Sequence, residues 1–323
     1  MKAIVVGSGE GRPLAWREVA EPDRGPDEVL VDVYATGLNR ADLAQRGGHY
    51  PPQPGASAIL GLEAAGVVAE VGAGVSGWGV GDRVCALLTG GGYAERASVP
   101  TAMLMPVPDH WSFVEAAAVP EVFLTAYLNL FVEAGLQAGE AALVHGGASG
   151  VCTAAIQLAR AAGCRVFATA GSSEKIRVCR ELGAELAVNY QEEDFAERVK
   201  AAGGVDVVLD MVGKDYLEGN LEVLNLGGRL VFIATLSGSR AEIDIRKLMA
   251  KRLMLKGSTL RARPLAEKAA MLEGFMARFW QPLVGGEIRP VIDTVLPVEE
   301  AQRAHEIMRN NENIGKIILK VRD

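Results

Sequence analysis

Short apolar runs alternate with helical patterns through the middle of the chain. Helices are predicted after Gly150 and over residues 173–182, 193–201 and 214–225. The apolar runs have the length of buried strands and cover residues 142–145, 164–170, 186–189, 205–210 and 229–234. Strands that are separated by helices pair in parallel, because each connection must cross back over the sheet. The pattern therefore predicts an α/β fold with a doubly wound parallel sheet.

The two ends of the chain have a different pattern. Before about residue 120, glycine and proline separate short strands over residues 2–6, 14–18, 29–35, 66–71, 83–87 and 93–99. Short strands with Gly-rich turns are typical of a small β-barrel. A helix over 112–118 is expected to break at Pro120 and to resume over 123–133, which gives a candidate hinge. Beyond the parallel strands, the pattern predicts strands over 253–258, 290–295 and 314–321 and helices over 265–279 and 298–309.

A turn of small residues, Gly146 to Gly150, lies between the first parallel strand and its helix. Glycines let a backbone approach a phosphate closely, and a helix N-terminus offers unpaired N–H groups and a partial positive charge. Such a turn also occurs in ordinary strand-to-helix loops. The repeated alternation of strand and helix around it favours the opening of a dinucleotide-binding unit.

Composition excludes several classes of partner. The chain has 323 residues, 33 Lys and Arg against 40 Asp and Glu, and a net charge of -7, which argues against nucleic acid and against an anionic membrane. No uninterrupted apolar run approaches the roughly 20 residues of a membrane span. The four cysteines include no C-x-x-C pair, and no two histidines have an H-x-x-x-H spacing. We therefore expect a cytoplasmic protein with reduced cysteines and core or surface histidines.

Eight motifs spread over the whole chain resemble one known family. They are GLNRAD (37–42), YPPQPG (50–55), GLEAAG (61–66), VGDRV (80–84), GGYAE (91–95), GGASGV (146–151), TAGSS (169–173) and NIGKII (313–318). Together they resemble the zinc-independent quinone oxidoreductases of the medium-chain dehydrogenase/reductase superfamily, the zeta-crystallin type.

The resemblance implies two domains and an assembly. A GroES-like β-barrel domain would comprise residues 1–121 and 264–323, and a Rossmann domain would comprise residues 122–263 with NADP in the cleft and its nicotinamide facing the barrel. A homodimer or a dimer of dimers is also implied, with pairing through the edge of the strand at 253–258. The implied activity is reduction of quinones by NADPH.

The zinc-dependent relatives bind their catalytic metal with Cys, His and Cys. The matching positions here are Asn39, Leu62 and Glu121, and no four-cysteine structural zinc lobe is present. Leu62 cannot bind a metal and thiolates are missing, so we expect no metal. Without a Lewis acid, the enzyme is expected to reduce acceptors such as quinones and α,β-unsaturated carbonyls, which delocalise added electrons onto oxygen.

Family positions also suggest the site residues. The catalytic candidates are Asn39, Tyr50 and Thr125. Asn39 is equally typical of a turn. Tyr50 has a structural alternative as well, in which its ring packs against the proline loop that follows it. The candidates for binding the cofactor are Gly147, Ala148, Ser149, Gly150, Val151, Gly171, Ser172, Ser173, Lys175, Tyr190, Gly213, Ala234, Thr235, Leu236, Ser258, Thr259, Leu260 and Lys316.

The end of the second parallel strand bears on the choice of coenzyme. NAD-specific Rossmann domains usually carry Asp or Glu there, about 20 residues past the Gly turn. Here the strand runs into Gly171, Ser172 and Ser173, with Lys175 one turn later. Two hydroxyls and an ammonium suit the 2′-phosphate of NADP, although a serine here is also a typical N-cap and a helical lysine is often solvated.

Three further residues have competing interpretations. Cys152 takes a position that is usually Gly in the family, so it is either a tolerated packing residue or a thiol with a lowered pKa in the first helical turn. Asp42 and Glu63 are expected to be salt-bridge partners within the barrel.

For the whole protein, the alternatives to a quinone reductase are an enoyl-thioester or alkenal reductase, and a cofactor-binding protein with little turnover.

Overall fold

The computed structural model describes all residues from Met1 to Asp323. The strands are β1 Lys2–Val6, β2 Leu14–Glu18, β3 Glu28–Gly37, β4 Glu63–Val71, β5 Arg83–Leu87, β6 Arg96–Pro100, β7 Leu104–Pro106, β8 Ala141–His145, β9 Arg165–Ala170, β10 Leu186–Asn189, β11 Val205–Asp210, β12 Leu224–Phe232, β13 Met254–Gly257, β14 Ile292–Pro297 and β15 Lys316–Lys320. The α-helices are α1 Arg40–Gly47, α2 Phe113–Ala116, α3 Pro120–Tyr127, α4 Gly150–Ala161, α5 Ser173–Glu181, α6 Phe195–Ala201, α7 Leu217–Val223, α8 Ile245–Lys251, α9 Leu265–Val284 and α10 Ala301–Arg309. Shorter helical segments are 3₁₀ turns at Thr101–Met103, Lys214–Tyr216 and Val298–Glu300 and a π-helical segment at Leu128–Glu133.

The chain divides into two compact units. The first consists of Met1–Glu121, Pro264–Leu272 and Pro290–Asp323, and the second of Val122–Arg263 and Glu273–Arg289. The segment Glu273–Arg289, which the sequence-based boundaries assign to the barrel, clusters with the second unit. Aromatic packing explains this, because Phe275 and Phe279 of α9 contact the ring of Tyr127 in α3.

The second unit contains six parallel strands in the order β10-β9-β8-β11-β12-β13. From β8 the chain builds outward to β10, then returns beside β8 and builds outward in the other direction to β13. This is the predicted doubly wound sheet. Its core is made by apolar side chains from the strands and from α6 and α7, including Leu143, Phe167, Val208 and Leu230, which are completely buried.

The first unit is built from mainly antiparallel strands. Seven of them follow the order β14-β15-β3-β4-β5-β7 with β6 paired to β3, while β1 and β2 form a separate hairpin. Strand β14 pairs in parallel with β15, so the C-terminal segment completes the sheet that the N-terminal segment begins. Both ends of the chain therefore contribute strands to one sheet.

Two helices were not predicted from the sequence. In α1, the buried side chains include Asp42, Gln45 and Arg46, so the helix has no apolar face for a pattern to reveal. It begins after Asn39, whose backbone N–H donates a 2.8 Å hydrogen bond to the Asp42 carboxyl. Helix α8 has only seven residues and begins after Asp244, whose side chain accepts a hydrogen bond from the Arg246 N–H.

The predicted break at Pro120 has a different form from the one expected. Pro120 is the first residue of α3, where its missing N–H costs nothing.

The segment Phe113–Glu133 is long and apolar enough to cross a membrane by length and composition. The sequence analysis did not identify it, because it contains no uninterrupted apolar run of that length. In the structure 67% of its apolar window is buried inside the protein, as it is for the core helix of a soluble protein, so the signal is weak.

Candidate active site

The carboxyl ends of the six parallel strands bring together most of the predicted cofactor-binding residues. The turn at 147–151 follows β8, residues 171–175 follow β9, Tyr190 follows β10 and Gly213 follows β11. Residues 234–236 follow β12, and residues 258–260 follow β13. In open α/β sheets, ligands bind at this edge, where the strand order reverses. Here the reversal lies between β8 and β11, directly beside the Gly-rich turn.

The turn between β8 and α4 fits a pyrophosphate. Gly146 has a φ of +68°, which favours glycine, and a Cβ there would lie 2.9 Å from Met211 Sδ and displace that side chain. Ser149 is the N-cap of α4, but its side chain makes no capping hydrogen bond to the helix. The first N–H groups of a twelve-residue helix therefore remain available to an anion.

At the end of β9, the predicted serines have separate environments. Ser172 is the N-cap of α5, and its Oγ accepts a 3.3 Å hydrogen bond from the Lys175 N–H. Ser173 and Glu174 are exposed, while Lys175 is half-buried. The N-capping interpretation is confirmed for Ser172, and its hydroxyl hydrogen remains available as a donor.

Tyr190 lies across this strand end with 46% of its surface exposed. Its ring meets Tyr216 edge to face, and a Cβ on Gly171 would collide with its hydroxyl. An exposed aromatic ring that is held in place on one side offers an apolar face to a flat ring system. This geometry is compatible with the predicted adenine contact.

A buried polar chain beneath this edge was not predicted. His145 Nδ1 lies 2.9 Å from Thr169 Oγ1, and its Nε2 lies 2.7 Å from Asn220 Oδ1. Asn220 Nδ2 donates at 3.0 Å to Asp210 Oδ2. All four side chains are completely buried. Burial lowers the pKa of His145 to about 4 and raises the pKa of Asp210 to about 6, so at neutral pH the imidazole is uncharged and the carboxyl is ionised.

Cys152 is a packing residue. Its thiol is completely buried and donates a 3.0 Å hydrogen bond to the His145 carbonyl. Desolvation raises the pKa of this thiol to about 12, so the alternative of a thiol with a lowered pKa is wrong. The N-terminus of α4 would favour the thiolate, but the loss of water around Sγ outweighs that effect. All four cysteines are buried and free.

In the first unit, a buried ammonium lies among three acceptors. Lys316 Nζ donates to Leu38 O at 2.6 Å, to Asn39 Oδ1 at 2.8 Å and to Glu63 Oε1 at 2.6 Å. Asn39 Nδ2 donates to the same Glu63 oxygen at 2.9 Å. Glu63 Oε2 accepts from the Glu121 N–H at 2.8 Å. Glu63 is therefore the salt-bridge partner that the sequence analysis expected.

The ammonium of Lys316 is enclosed by protein acceptors. An ammonium has three hydrogens, and here each has a protein acceptor, while only 3% of the side chain is exposed. Contact with a cofactor stays a prediction, and the observed contacts favour a residue that orients the Asn39 amide. The sequence could not reveal this, because Lys316 and Glu63 are more than 250 positions apart.

The expected ion pair of Asp42 is wrong, since this carboxyl accepts hydrogen bonds from uncharged groups. Its oxygens accept from the Asn39 N–H at 2.8 Å, from the Gly61 N–H at 3.0 Å and from Tyr93 Oη at 3.3 Å. The Tyr93 hydroxyl in turn lies 3.4 Å from His305 Nε2. Complete burial raises the pKa of Asp42 to about 6. The carboxyl thus holds both the start of α1 and the segment before β4.

The other two catalytic candidates lie on different units. Tyr50 is half-buried in the loop after α1, directly before the proline run. Thr125 lies in α3 with 8% of its surface exposed, and its carbonyl accepts a 2.7 Å hydrogen bond from Asn129 Nδ2. Asn129 belongs to the π-helical segment, a form that recurs at functional sites. The catalytic roles of both residues stay predictions.

No group of three or more His, Cys, Asp or Glu side chains is arranged to hold a metal ion. Of the three positions that match the zinc ligands, Asn39 binds Lys316 and Glu63 through its amide, and Leu62 is a buried apolar residue. Glu121 contributes its backbone N–H to Glu63. The groups around these three positions are therefore the Lys316 ammonium, the Glu63 carboxylate, the Asn39 amide and a backbone N–H.

A GroES-like sheet that is completed by both chain ends, together with a Rossmann unit, defines a medium-chain dehydrogenase/reductase, and the chain is an oxidoreductase. The family model described as "Alcohol dehydrogenase GroES-like domain" matches residues 25–109, and the one described as "Zinc-binding dehydrogenase" matches residues 150–275. The predicted fold class is thereby confirmed. The chain belongs to the quinone oxidoreductase family of this superfamily.

Relatives and solved structures support that assignment. Rat quinone oxidoreductase is 34% identical over 312 residues, which cover 94% of this chain and 92% of the rat protein. The quinone oxidoreductase of Thermus thermophilus, solved alone and with NADPH, is 37% identical with a TM-score of 0.84, covering 99% and 100% of the two chains. A structure described as an NAD-dependent alcohol dehydrogenase is 33% identical with a TM-score of 0.87, again covering 99% and 100%.

The buried Lys316–Glu63 pair gives a prediction about stability. Lys316→Met should lower the free energy of unfolding by about 3–5 kcal/mol, because it leaves a buried carboxylate without its counter-charge. The double variant Lys316→Met/Glu63→Gln should recover most of that loss. Denaturant unfolding measures both.

The exposed pair Arg177–Glu181 provides the control, since 63% and 55% of the two side chains are accessible. Arg177→Met should cost at most about 0.5 kcal/mol. A loss for Lys316→Met no larger than that of the control would contradict a buried, mutually dependent pair.

Proposed function

We propose that this protein is an NADPH-dependent quinone oxidoreductase that transfers a hydride or electrons from NADPH to quinones without zinc. The proposal that the coenzyme is NADPH rests on the residues at the end of β9. No acid is present at its tip, while Ser172, Ser173 and Lys175 supply hydroxyls and a charge that suit a 2′-phosphate. The rat relative is a quinone oxidoreductase, which supports a quinone as the acceptor. The Thermus enzyme was solved with NADPH, which supports NADPH as the coenzyme. The four free, buried cysteines suit the reducing cytoplasm.

The environment of Asn39 supports a reaction without zinc. The ammonium of Lys316 lies within 2.8 Å of the Asn39 amide oxygen, next to positions that hold metal ligands in zinc-dependent relatives. A divalent cation beside a buried ammonium would be strongly repelled, because charges interact more strongly in the protein interior than in water. Activation of the acceptor would then depend on hydrogen bonds from the protein.

Asn39 and Tyr50 are the proposed donors to the acceptor oxygen. Reduction of a quinone by hydride consumes one hydride and one proton and gives a hydroquinone, so negative charge develops on an oxygen. NADPH supplies the hydride when bound. A hydroxyl or amide donor placed at that oxygen stabilises the charge more in the transition state than in the ground state. Asn39 Nδ2 donates to Glu63 Oε1 at 2.9 Å and to the Gly37 carbonyl at 3.4 Å, so its donation to the acceptor requires exchange of the longer of these two bonds.

The acceptor is tested by turnover. 9,10-Phenanthrenequinone should be reduced by NADPH in metal-free enzyme, and crotonyl thioester should be a poor acceptor. Tyr50→Phe and Asn39→Ala should lower kcat/KM by about 5- to 150-fold, the effect of losing one hydrogen bond in the transition state. The Tyr34→Phe variant is a control, because Tyr34 packs on Phe113 within the same unit.

Three results would contradict the proposal. Preference for the thioester would establish an enoyl reductase instead. Stoichiometric zinc whose removal abolishes turnover would refute the zinc-free reaction. Parent-like kcat/KM in both the Tyr50 and the Asn39 variants would show that the acceptor is bound elsewhere.

Coenzyme preference gives a separate prediction. NADPH should be preferred over NADH by at least about tenfold, or about 1.4 kcal/mol. Lys175→Ala should weaken binding of NADPH and leave NADH nearly unchanged, and salt should reduce the preference, because the 2′-phosphate is attracted by charge. Arg177→Ala, two residues further along α5 and paired with Glu181, is the control. Equal kcat/KM for both coenzymes in the parent enzyme would overturn this assignment.

A homodimer is proposed through the open edge of β13. This strand is the last of its sheet, and an unpaired edge attracts another strand. Beside it, Ile245 and Met249 lie four residues apart on the same side of α8 and are 66% and 72% exposed, while Leu248 packs inward. Met254 on β13 is 59% exposed. A second copy would pair the two edges and cover these apolar side chains.

Sedimentation of the parent protein should give a species well above the 34.1 kDa of one chain at micromolar concentration. Met249→Lys/Met254→Lys should shift it toward the monomer, because two buried charges would oppose association. Val80→Lys changes an equally exposed side chain of the first unit and should have no effect. A purely monomeric parent protein would refute the dimer.

A further inference from the structure

The loop that follows β11, residues 211–213, lies directly over the Gly-rich turn. Met211 Sδ is 2.9 Å from the position that a Cβ on Gly146 would take, and Ser149 Oγ lies 4.0 Å from the same sulfur. The loop and the turn are therefore in contact at the switch point of the sheet. Any movement of Met211 would change the space above the N-terminus of α4.

The loop is held on two sides by different groups. The carbonyls of Met211 and Val212 accept hydrogen bonds from the N–H groups of Leu236 and Ser237, at 3.1 and 2.8 Å. The N–H groups of Val212 and Gly213 donate to the Asp210 carboxylate, at 2.5 and 3.2 Å. The backbone groups on the second side thus depend on one buried carboxylate.

The orientation of that carboxylate is determined by the buried polar chain. An ionised carboxyl only accepts, so Asn220 must present its NH₂ group to Asp210 and its Oδ1 to His145. His145 must then carry its hydrogen on Nε2, and Nδ1 must accept from the Thr169 hydroxyl. The chain of donors has one consistent direction, from Thr169 through His145 and Asn220 to Asp210.

We infer that Asn220 and His145 are positioning residues for coenzyme binding, which hold the 211–213 loop over the Gly-rich turn through the Asp210 carboxylate. The inference rests on the proposed function for the identity of the coenzyme. His145 and Asp210 are the last residues of β8 and β11, and Thr169 is the next-to-last residue of β9, so the chain links the ends of three neighbouring strands to one loop. Neither residue need touch the coenzyme.

Strand β11 supplies a matched pair of variants. Asn220 donates to Asp210 at its carboxyl end, and Asn225 Nδ2 donates to Asp206 at its amino end, each at 3.0 Å. Asn→Asp at either position replaces a donor with a like charge and keeps the side-chain shape. Only Asn220→Asp should disturb the loop and the turn.

Two measurements test the inference. Amide hydrogen exchange of Val212 and Gly213, measured without coenzyme, should be faster in Asn220→Asp than in the parent protein and unchanged in Asn225→Asp. The dissociation constant of NADPH, followed by its fluorescence, should rise by at least about tenfold in Asn220→Asp alone. The ring ¹⁵N shifts of His145 in the parent protein should report the neutral form with hydrogen on Nε2.

The results separate this inference from the proposed function. If the parent protein binds no NADPH, the proposed function fails, and the exchange rates alone decide whether Asn220 holds the loop. If the parent binds NADPH but the two Asn→Asp variants bind it equally, or exchange at Val212 and Gly213 is unaltered, the positioning role is overturned. If Asn220→Asp does not fold, His145→Gln is used for the same two measurements with the same criteria.

Discussion

Parallel pairing of six strands is the constraint on which the nucleotide-binding half of this protein depends. Because every connection crosses back over the sheet, all six carboxyl ends lie along one edge. The order reverses at β8, so the first loop and the loop after β11 become neighbours although about 65 residues separate them along the chain. That arrangement places the uncapped start of α4, the Met211 contact and the serines after β9 along the same edge of the sheet.

Each unit holds its candidate site residues by buried polar groups that satisfy one another. In the first unit, an ammonium and a carboxylate share the Asn39 amide, and the Asp42 carboxyl joins the start of α1 to Gly61. In the second, a neutral histidine and an amide orient Asp210. Such groups are costly to bury unless every donor has a partner, and for the same reason they allow only one geometry.

The two buried carboxyls act on the backbone. Asp42 and Asp210 each accept two backbone N–H bonds, and in both cases those N–H groups lie where a chain segment begins or turns beside a candidate site. Both carboxyls have a raised pKa, since burial outweighs the donors around them. The sequence analysis expected salt bridges for Asp42 and Glu63, and of these two carboxyls only Glu63 forms one.

The sequence by itself determined the alternation of strands and helices, the strands at both chain ends and the Gly-rich turn, because these depend on local periodicity and on backbone conformations that few residues adopt. It also placed most of the cofactor candidates, since each follows a strand. Only the tertiary structure decided that α1 is a helix with polar buried side chains, that 273–289 packs with the second unit and that the Cys152 thiol is buried. The same holds for Lys316 and His145, whose partners lie far away along the chain. Their contacts follow from burial and donor matching in three dimensions, which no local pattern of residues contains.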